Sequence, residues 1–219
     1  MITPLVFTDG RRNCIERTLD SARFMIRWPS PVRPVIVNDS EDPSYQTWLE
    51  RMYPHFKILP GGSRRGFCGA IQAGWSALPA DTEWIFHLED DFLFNRRIDI
   101  AAMIETLEAN PKLVQLALKR QPWNEREKEA GDLFKVFGGG FLPRDTPHPH
   151  LVQRIFWTTN PSLYHRRWTV GGFPSPPSCE GVFSHRLLAD PDVWFGYWGH
   201  LEDEPWVTHI GDTRAGEGY

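Results

Sequence analysis

Three carboxylates in succession, Glu89, Asp90 and Asp91, end the apolar run WIFHL and lead directly into FLF. Like charges crowded at the end of a buried strand repel one another, and a divalent cation offsets that repulsion directly. Hard cations such as Mg²⁺ and Mn²⁺ prefer oxygen ligands and take few of them from the protein when phosphates supply the rest. For such a triplet standing alone, a solvated acidic turn is the alternative. The rest of the chain adds Thr8, Asp9 and Arg11 at the end of PLVFT, Asn38 and Asp39 at the end of PVIVND, and the loop GGSRR after FKILP. Carboxylates, a glycine-rich loop and arginines (Arg64, Arg65 and Arg214) are the set that a phosphorylated ligand with a bound cation requires.

These residues act together only if the chain brings them to one edge. The pattern predicts strands at Pro4–Thr8, Pro34–Asp39 and Phe56–Pro60, a strand over EWIFHL and another over LVQLAL. Helical spacing separates them. Ile15, Leu19, Ala22 and Ile26 share one face; a short helix spans Tyr45–Met52; Phe67, Ala70, Ile71, Gly74, Trp75 and Leu78 mark a third helix, and Ile100, Met103, Ile104 and Leu107 a fourth. Alternation of this kind predicts an α/β fold with a mostly parallel central sheet flanked by helices. Ligands of such sheets bind beyond the carboxyl ends of the strands, where all the residues above fall.

The second half is less regular. Residues 119–154 are polar and broken by Gly138, Gly139 and Gly140, which predicts long loops with a short strand or hairpin. RIFWTTNPSLY has strand character, CEGVFSHRLLAD reads as a helix, VWFGYWG and WVTHIG as late strands, and DTRAGEGY as a flexible tail. We expect a single domain, with residues 1–118 as its ligand-binding half and 119–219 as its catalytic half.

A chain of 219 residues suits one full-sized core. The net charge of -4 gives no general attraction to nucleic acid or anionic lipid. Most of the ten Trp and fourteen Phe belong to the core, with Trp194, Tyr197, Trp198 and Trp206 as candidates for a stacking platform. Cys14, Cys68 and Cys179 are odd in number, widely spaced and without a CxxC pair, which predicts neither disulfide framework nor zinc site and points to a reducing compartment. MITPLVFTDG lacks the succession of a signal peptide, and no apolar stretch approaches the ~20 residues of a membrane span. A cytoplasmic protein is expected.

In order along the chain, PLVFTDGRRNCIERTLDSA, PVIVNDSED, RRGFCGAIQAGW and FHLEDDF resemble the nucleotide-binding half of GT-A fold glycosyltransferases, most closely glycosyltransferase family 2 in its small bacterial or phage form. The resemblance implies a Rossmann-like GT-A sheet, a nucleotide-diphosphate sugar donor (UDP by family habit) and Mn²⁺ or Mg²⁺. Its DXD-type motif falls on Glu89, Asp90 and Asp91, with Glu89 in place of the usual first Asp. Asp91 is then the direct metal ligand, Glu89 is also placed in the metal set, and Asp90 orients water or the donor ribose. Asp39 matches the residue that reads the nucleobase; Thr8, Asp9 and Arg11 match the segment bordering base and ribose, and Arg65 is placed for the diphosphate.

Further on, GGFPSPPSCEGVFSHRL is similar to the segment in which an acidic residue opening a helix is the general base, here Glu180, although the family's acidic pair is replaced by Cys179-Glu180-Gly181. A carboxylate there is also what a helix start favours on its own. In WVTHIG, His209 stands where many GT-A enzymes complete the metal shell, whereas His87 reads as core. The acceptor implied is a hydroxyl of a protein, a saccharide or a hydroxymethylated DNA base. A nucleotidyltransferase would show a glycine-rich basic loop after the first strand, and TDGRRNC has one glycine. A non-catalytic protein that binds sugar or nucleic acid on the same fold is the other reading.

Overall fold

Alternation along the first strand decides the layering of the molecule. The computed structural model describes residues 1–211; the tail expected to be flexible, with Arg214, lies outside the described residues. The first half runs β1 (Ile2–Thr8), α1 (Arg12–Met25), β2 (Ile26–Arg27), β3 (Val35–Asn38), α2 (Pro43–Met52), β4 (Lys57–Leu59), α3 (Gly66–Ser76), β5 (Trp84–Glu89), β6 (Phe92–Phe94), β7 (Ile98–Asp99), α4 (Ile100–Ala109) and β8 (Leu113–Ala117). The second runs α5 (Glu125–Ala130), α6 (Leu133–Val136), β9 (Leu142–Arg144), β10 (His150–Gln153), β11 (Ser162–His165), α7 (Cys179–Leu188), β12 (Trp194–Trp198) and β13 (Val207–His209).

Ile2 and Val6 of β1 pack with Ile36, Phe86 and Leu88 against α1, α2 and α4. Leu5 and Phe7 point the other way, with Val35, Val37 and Ile85, against α3 and α7. Successive side chains of a strand face opposite sides, so both faces of these strands must be apolar and both are covered. Gly74 lets α3 lie close to the sheet, because a Cβ there would stand 3.0 Å from both Phe7 and Val37.

Nine strands form one sheet in the order β4-β3-β1-β5-β11-β8-β12-β10-β9. The expected parallel pairing holds for β4, β3, β1 and β5, and again for β8 with β12. The second half makes the sheet mixed: β11 inserts antiparallel between β5 and β8, and the β9–β10 hairpin closes the far edge. Because β1 lies between β3 and β5, the chain leaves it on one side and returns on the other, which opens a crevice at its carboxyl end.

Three expectations change. Residues 119–154 are not only loops and a hairpin: α5 and α6 form within them and pack Leu133 and Phe134 on Phe141, Leu151 and Tyr197. Of RIFWTTNPSLY, only β11 is strand, since Pro161 breaks the run and residues 156–160 cross over to meet α7. The cysteines also differ. Cys68 of α3 and Cys179 of α7 form a disulfide with their Cα atoms 6.2 Å apart and a sequence separation of 111, leaving Cys14 free. Sequence spacing says nothing about two helices laid side by side on one sheet face, and the inference of a reducing compartment loses its basis. Among the described residues no helix is long and apolar enough to cross a membrane.

Candidate active site

The acidic turn after β5 is gripped from three elements. The Thr8 hydroxyl, at the end of β1, donates to Asp90 Oδ2 at 2.6 Å and meets the Tyr45 hydroxyl of α2 at 2.5 Å. From α1, Thr18 Oγ1 donates to the Asp90 carbonyl at 2.7 Å and accepts the Phe92 N–H at 3.1 Å. Tyr45 and Thr18 are parts of the site that helix periodicity assigns only to packing.

Arg11, at the start of α1, enters this turn. Its guanidinium pairs with Asp9 at 2.9 Å, with Asp91 at 2.7 Å and with Asp90. Burial disfavours the guanidinium charge, but Asp90, Asp91 and Asp9 outweigh burial and hold it protonated more firmly than usual. Part of the repulsion in the triplet is therefore relieved from within the chain. Burial pushes the Asp90 carboxyl up to about 7 even against the pull of Arg11. Burial also acts to raise Asp91, yet the hydrogen bond and charge of His209, followed by Arg11, hold it below the usual carboxylate range.

β13 pairs antiparallel with β6 and sets His209 opposite Phe92, which brings its imidazole over the turn. His209 Nε2 stands 3.2 Å from Asp91 Oδ2, and the Ile210 N–H donates to the Asp91 carbonyl at 2.8 Å. The side chain of Gln121 fixes the His209 backbone with two hydrogen bonds, each 2.8 Å. Nothing in the sequence singles Gln121 out. Gly211 packs against the same pair: a Cβ there would collide with the Asp91 carboxylate and come within 2.9 Å of the Arg11 guanidinium. We expect Gly211→Ala to cost about 1–3 kcal/mol of stability by overpacking and to weaken cation binding, read by thermal unfolding and Mn²⁺ titration.

Among the described residues no three His, Cys, Asp or Glu side chains converge into a closed metal cage. Two do stand together, and the buried Asp91 Oδ1 has no hydrogen-bond partner. An imidazole nitrogen beside a carboxylate with one oxygen unused fits a cation that draws its remaining ligands from phosphate. Asp91 and His209 would hold it. At Glu89, burial, with the charges of Asp91 and Glu180, pushes the carboxyl well above the ordinary range, partly countered by the neighbouring Thr159.

Glu180 sits in the first turn of α7. Its Oε1 accepts the Thr159 N–H at 2.9 Å, while Ser184 Oγ accepts the Trp157 N–H at 2.8 Å, so the 157–160 crossing is fastened to α7 at two points. Burial raises the Glu180 carboxyl, partly countered by Thr159 and Arg120. A carboxylate raised in this way is a better proton acceptor.

At the other edge, Asp39 closes the loop 61–65. Its Oδ1 accepts the Arg65 N–H at 2.7 Å at the start of α3, and burial raises its carboxyl against the Arg65 and Gly66 N–H groups. The Arg65 guanidinium is committed to the Asn38 carbonyl at 3.0 Å and the Pro60 carbonyl at 2.7 Å, so here it orders the loop, and both Arg64 and Arg65 are exposed. His87 is fully enclosed, with its ring 4.7 Å from that of Phe7, and burial draws its pKa down to about 3.

The family model for glycosyl transferase family 2 matches residues 6–170. No curated protein sequence matches the chain. Among solved structures, a mannosyltransferase from Pyrobaculum calidifontis in complex with GDP-Man and Mn²⁺ superposes with a TM-score of 0.65 at 17% identity, covering 98% of this chain and 58% of its own. TarS from S. aureus gives 0.61 at 14% identity over 95% and 60% of the two chains. GalNAc-T7 with UDP, GalNAc and Mn²⁺ gives 0.66 at 10% identity over 96% and 44%. The chain thus spans about half the length of these three structures, and at such identities the likeness is one of fold. The matched residues 6–170 take in the end of β1, the acidic turn and the crossing that holds Glu180, although Glu180 and His209 themselves lie beyond them. The chain belongs to glycosyl transferase family 2 and has the GT-A fold.

Proposed function

We propose that the chain is an enzyme that moves a sugar from a nucleoside diphosphate sugar to an acceptor hydroxyl. The observation that carries this reading is the pairing of two carboxylate stations at the end of β5: Asp91 with His209, and Glu180 held by Thr159, with Glu89 feeling the charge of both. The Mn²⁺ in two of the similar structures, and their GDP-Man and UDP, support the cation and the donor class. When bound, the cation stabilises the charge that develops on the leaving diphosphate. The Mn²⁺ in those two structures is what favours Mn²⁺ over Mg²⁺ here.

The remaining roles fall to the chain. Asp39 and the end of β1 border the nucleoside, and Arg11 keeps Asp90 and Asp91 in place. Glu180 takes the proton from the acceptor hydroxyl, whose oxygen attacks the anomeric carbon as the bond to the diphosphate breaks. A single displacement with one base inverts the anomeric configuration.

The test is Asp91→Asn. It should lower turnover at least about 100-fold, as expected for loss of a charge-stabilising group, and abolish the Mn²⁺ dependence of nucleotide binding while circular dichroism is unchanged. Calorimetry with UDP and with GDP, with and without Mn²⁺, identifies the donor base. Mn²⁺-independent binding of both nucleotides, or full activity of Asp91→Asn, would sink the metal assignment.

A further inference from the structure

Between the short helices α5 and α6 and the sheet lies a cavity of about 200 Å³. Its floor includes Tyr197 of β12, 1% exposed, whose hydroxyl makes no hydrogen bond of normal geometry although Thr158 is a polar neighbour. Phe137 and Phe156 also line it, as do Thr158, Asn160 and Asn124. Arg120, at its edge, is neutralised by a fork of hydrogen bonds to Glu127 at 2.6 and 3.0 Å.

Position links this cavity to the chemistry. Thr158 and Asn160 flank Thr159, whose N–H holds Glu180, and Arg120 immediately precedes Gln121, which holds His209. The cavity is therefore built from the same two segments that orient the base and the cation ligand.

Composition indicates the class of occupant. Aromatic surface beside amides and hydroxyls suits the mixed apolar and hydroxylated faces of a sugar. A volume of about 200 Å³ is on the scale of a single sugar ring. The rings of Phe137 and Phe156 are inclined by 50°, so they form no parallel slot for a planar base. Arg120 is paired to Glu127, while Arg126, an exposed lining residue, leaves the site open to a neutral or an anionic sugar.

We propose that this cavity takes the terminal sugar ring of a saccharide acceptor and presents one of its hydroxyls to Glu180. The proposal rests on the glycosyltransferase reading and narrows its acceptor. In the step, the acceptor O–H proton passes to the Glu180 carboxylate, the new bond forms from that oxygen to the donor's anomeric carbon, and the pair of the broken C–O bond leaves with the nucleoside diphosphate.

Saturation-transfer NMR on the full chain tests it, with methyl glycosides of glucose, galactose, mannose and N-acetylglucosamine as probes. At least one should receive saturation, and Tyr197→Phe, which keeps the shape of the floor, should weaken it at least about fivefold, the effect of one lost hydrogen bond. Asn160→Leu is the second variant and should act in the same direction. Nucleotide binding by calorimetry, followed in parallel, separates the two readings. Intact nucleotide binding with no glycoside bound, or with glycoside affinity unmoved in both variants, overturns the acceptor pocket alone. Loss of Mn²⁺-dependent nucleotide binding from the unaltered chain overturns the transferase reading beneath it.

Discussion

Glu180→Gln should lower kcat by about 10²–10⁴-fold and leave the affinity for the donor nucleotide unchanged, as expected of the base proposed above. The amide keeps the shape of the carboxylate and still accepts the Thr159 N–H, but it cannot take a proton. The same carboxylate sets the acid limb of the pH profile. Glu180 must be ionised to act, and burial raises its pKa, so kcat falls as pH drops through a value above the ordinary glutamate range. The sign for stability is opposite to that for activity. A carboxyl whose folded pKa is raised binds its proton more readily in the folded state, so stability declines as pH rises from the unfolded to the folded pKa. Glu180→Gln removes that loss and also relieves the repulsion felt by Glu89. The variant should therefore melt higher than the parent at neutral pH while turning over far more slowly. Normal turnover in this variant would mean that another group is the base.

Breaking the Cys68–Cys179 bond has the largest expected effect on stability. The bond spans 111 residues, and closing a loop of that length in the unfolded chain is worth about 4–5 kcal/mol in the chain-entropy model. For a domain of this size each kcal/mol moves Tm by about 2–4 °C, so Cys68→Ser should lower Tm by about 10 °C or more. Scanning calorimetry of the parent with and without a thiol reductant gives the same comparison without mutation. An unchanged Tm in both experiments would show that the bond contributes nothing. Activity should fall with it, because Cys179 immediately precedes Glu180 and anchors the start of α7 to α3.

Much of the donor-side architecture could be read from residues alone. Period-2 and period-3.6 patterns located β1, β3, β5 and α1 to α4, and the rule that ligands gather at strand ends brought Thr8, Asp39 and Asp91 to one edge. What remained hidden depends on tertiary pairing. Arg11 lies one turn of chain beyond β1, and only the fold shows that it reaches the carboxylates instead of solvent. Gln121 acts on the backbone of the distant His209, and Thr159 acts through its own N–H on Glu180, which leaves no mark on sequence pattern. The helices α5 and α6 are too short for periodicity to register, and the glycines beside them read as loop. The disulfide could not be foreseen because α3 and α7 share a sheet face through a crossover more than a hundred residues long.

That bond also makes residues 68–179 a closed covalent ring, and the ring contains β5, the acidic turn and the exposed stretch 142–147. A protease that nicked that stretch would put Asp91 and Glu180 on different polypeptides without separating them. The proposed base and the proposed cation ligand would remain parts of one molecule, tethered through sulfur.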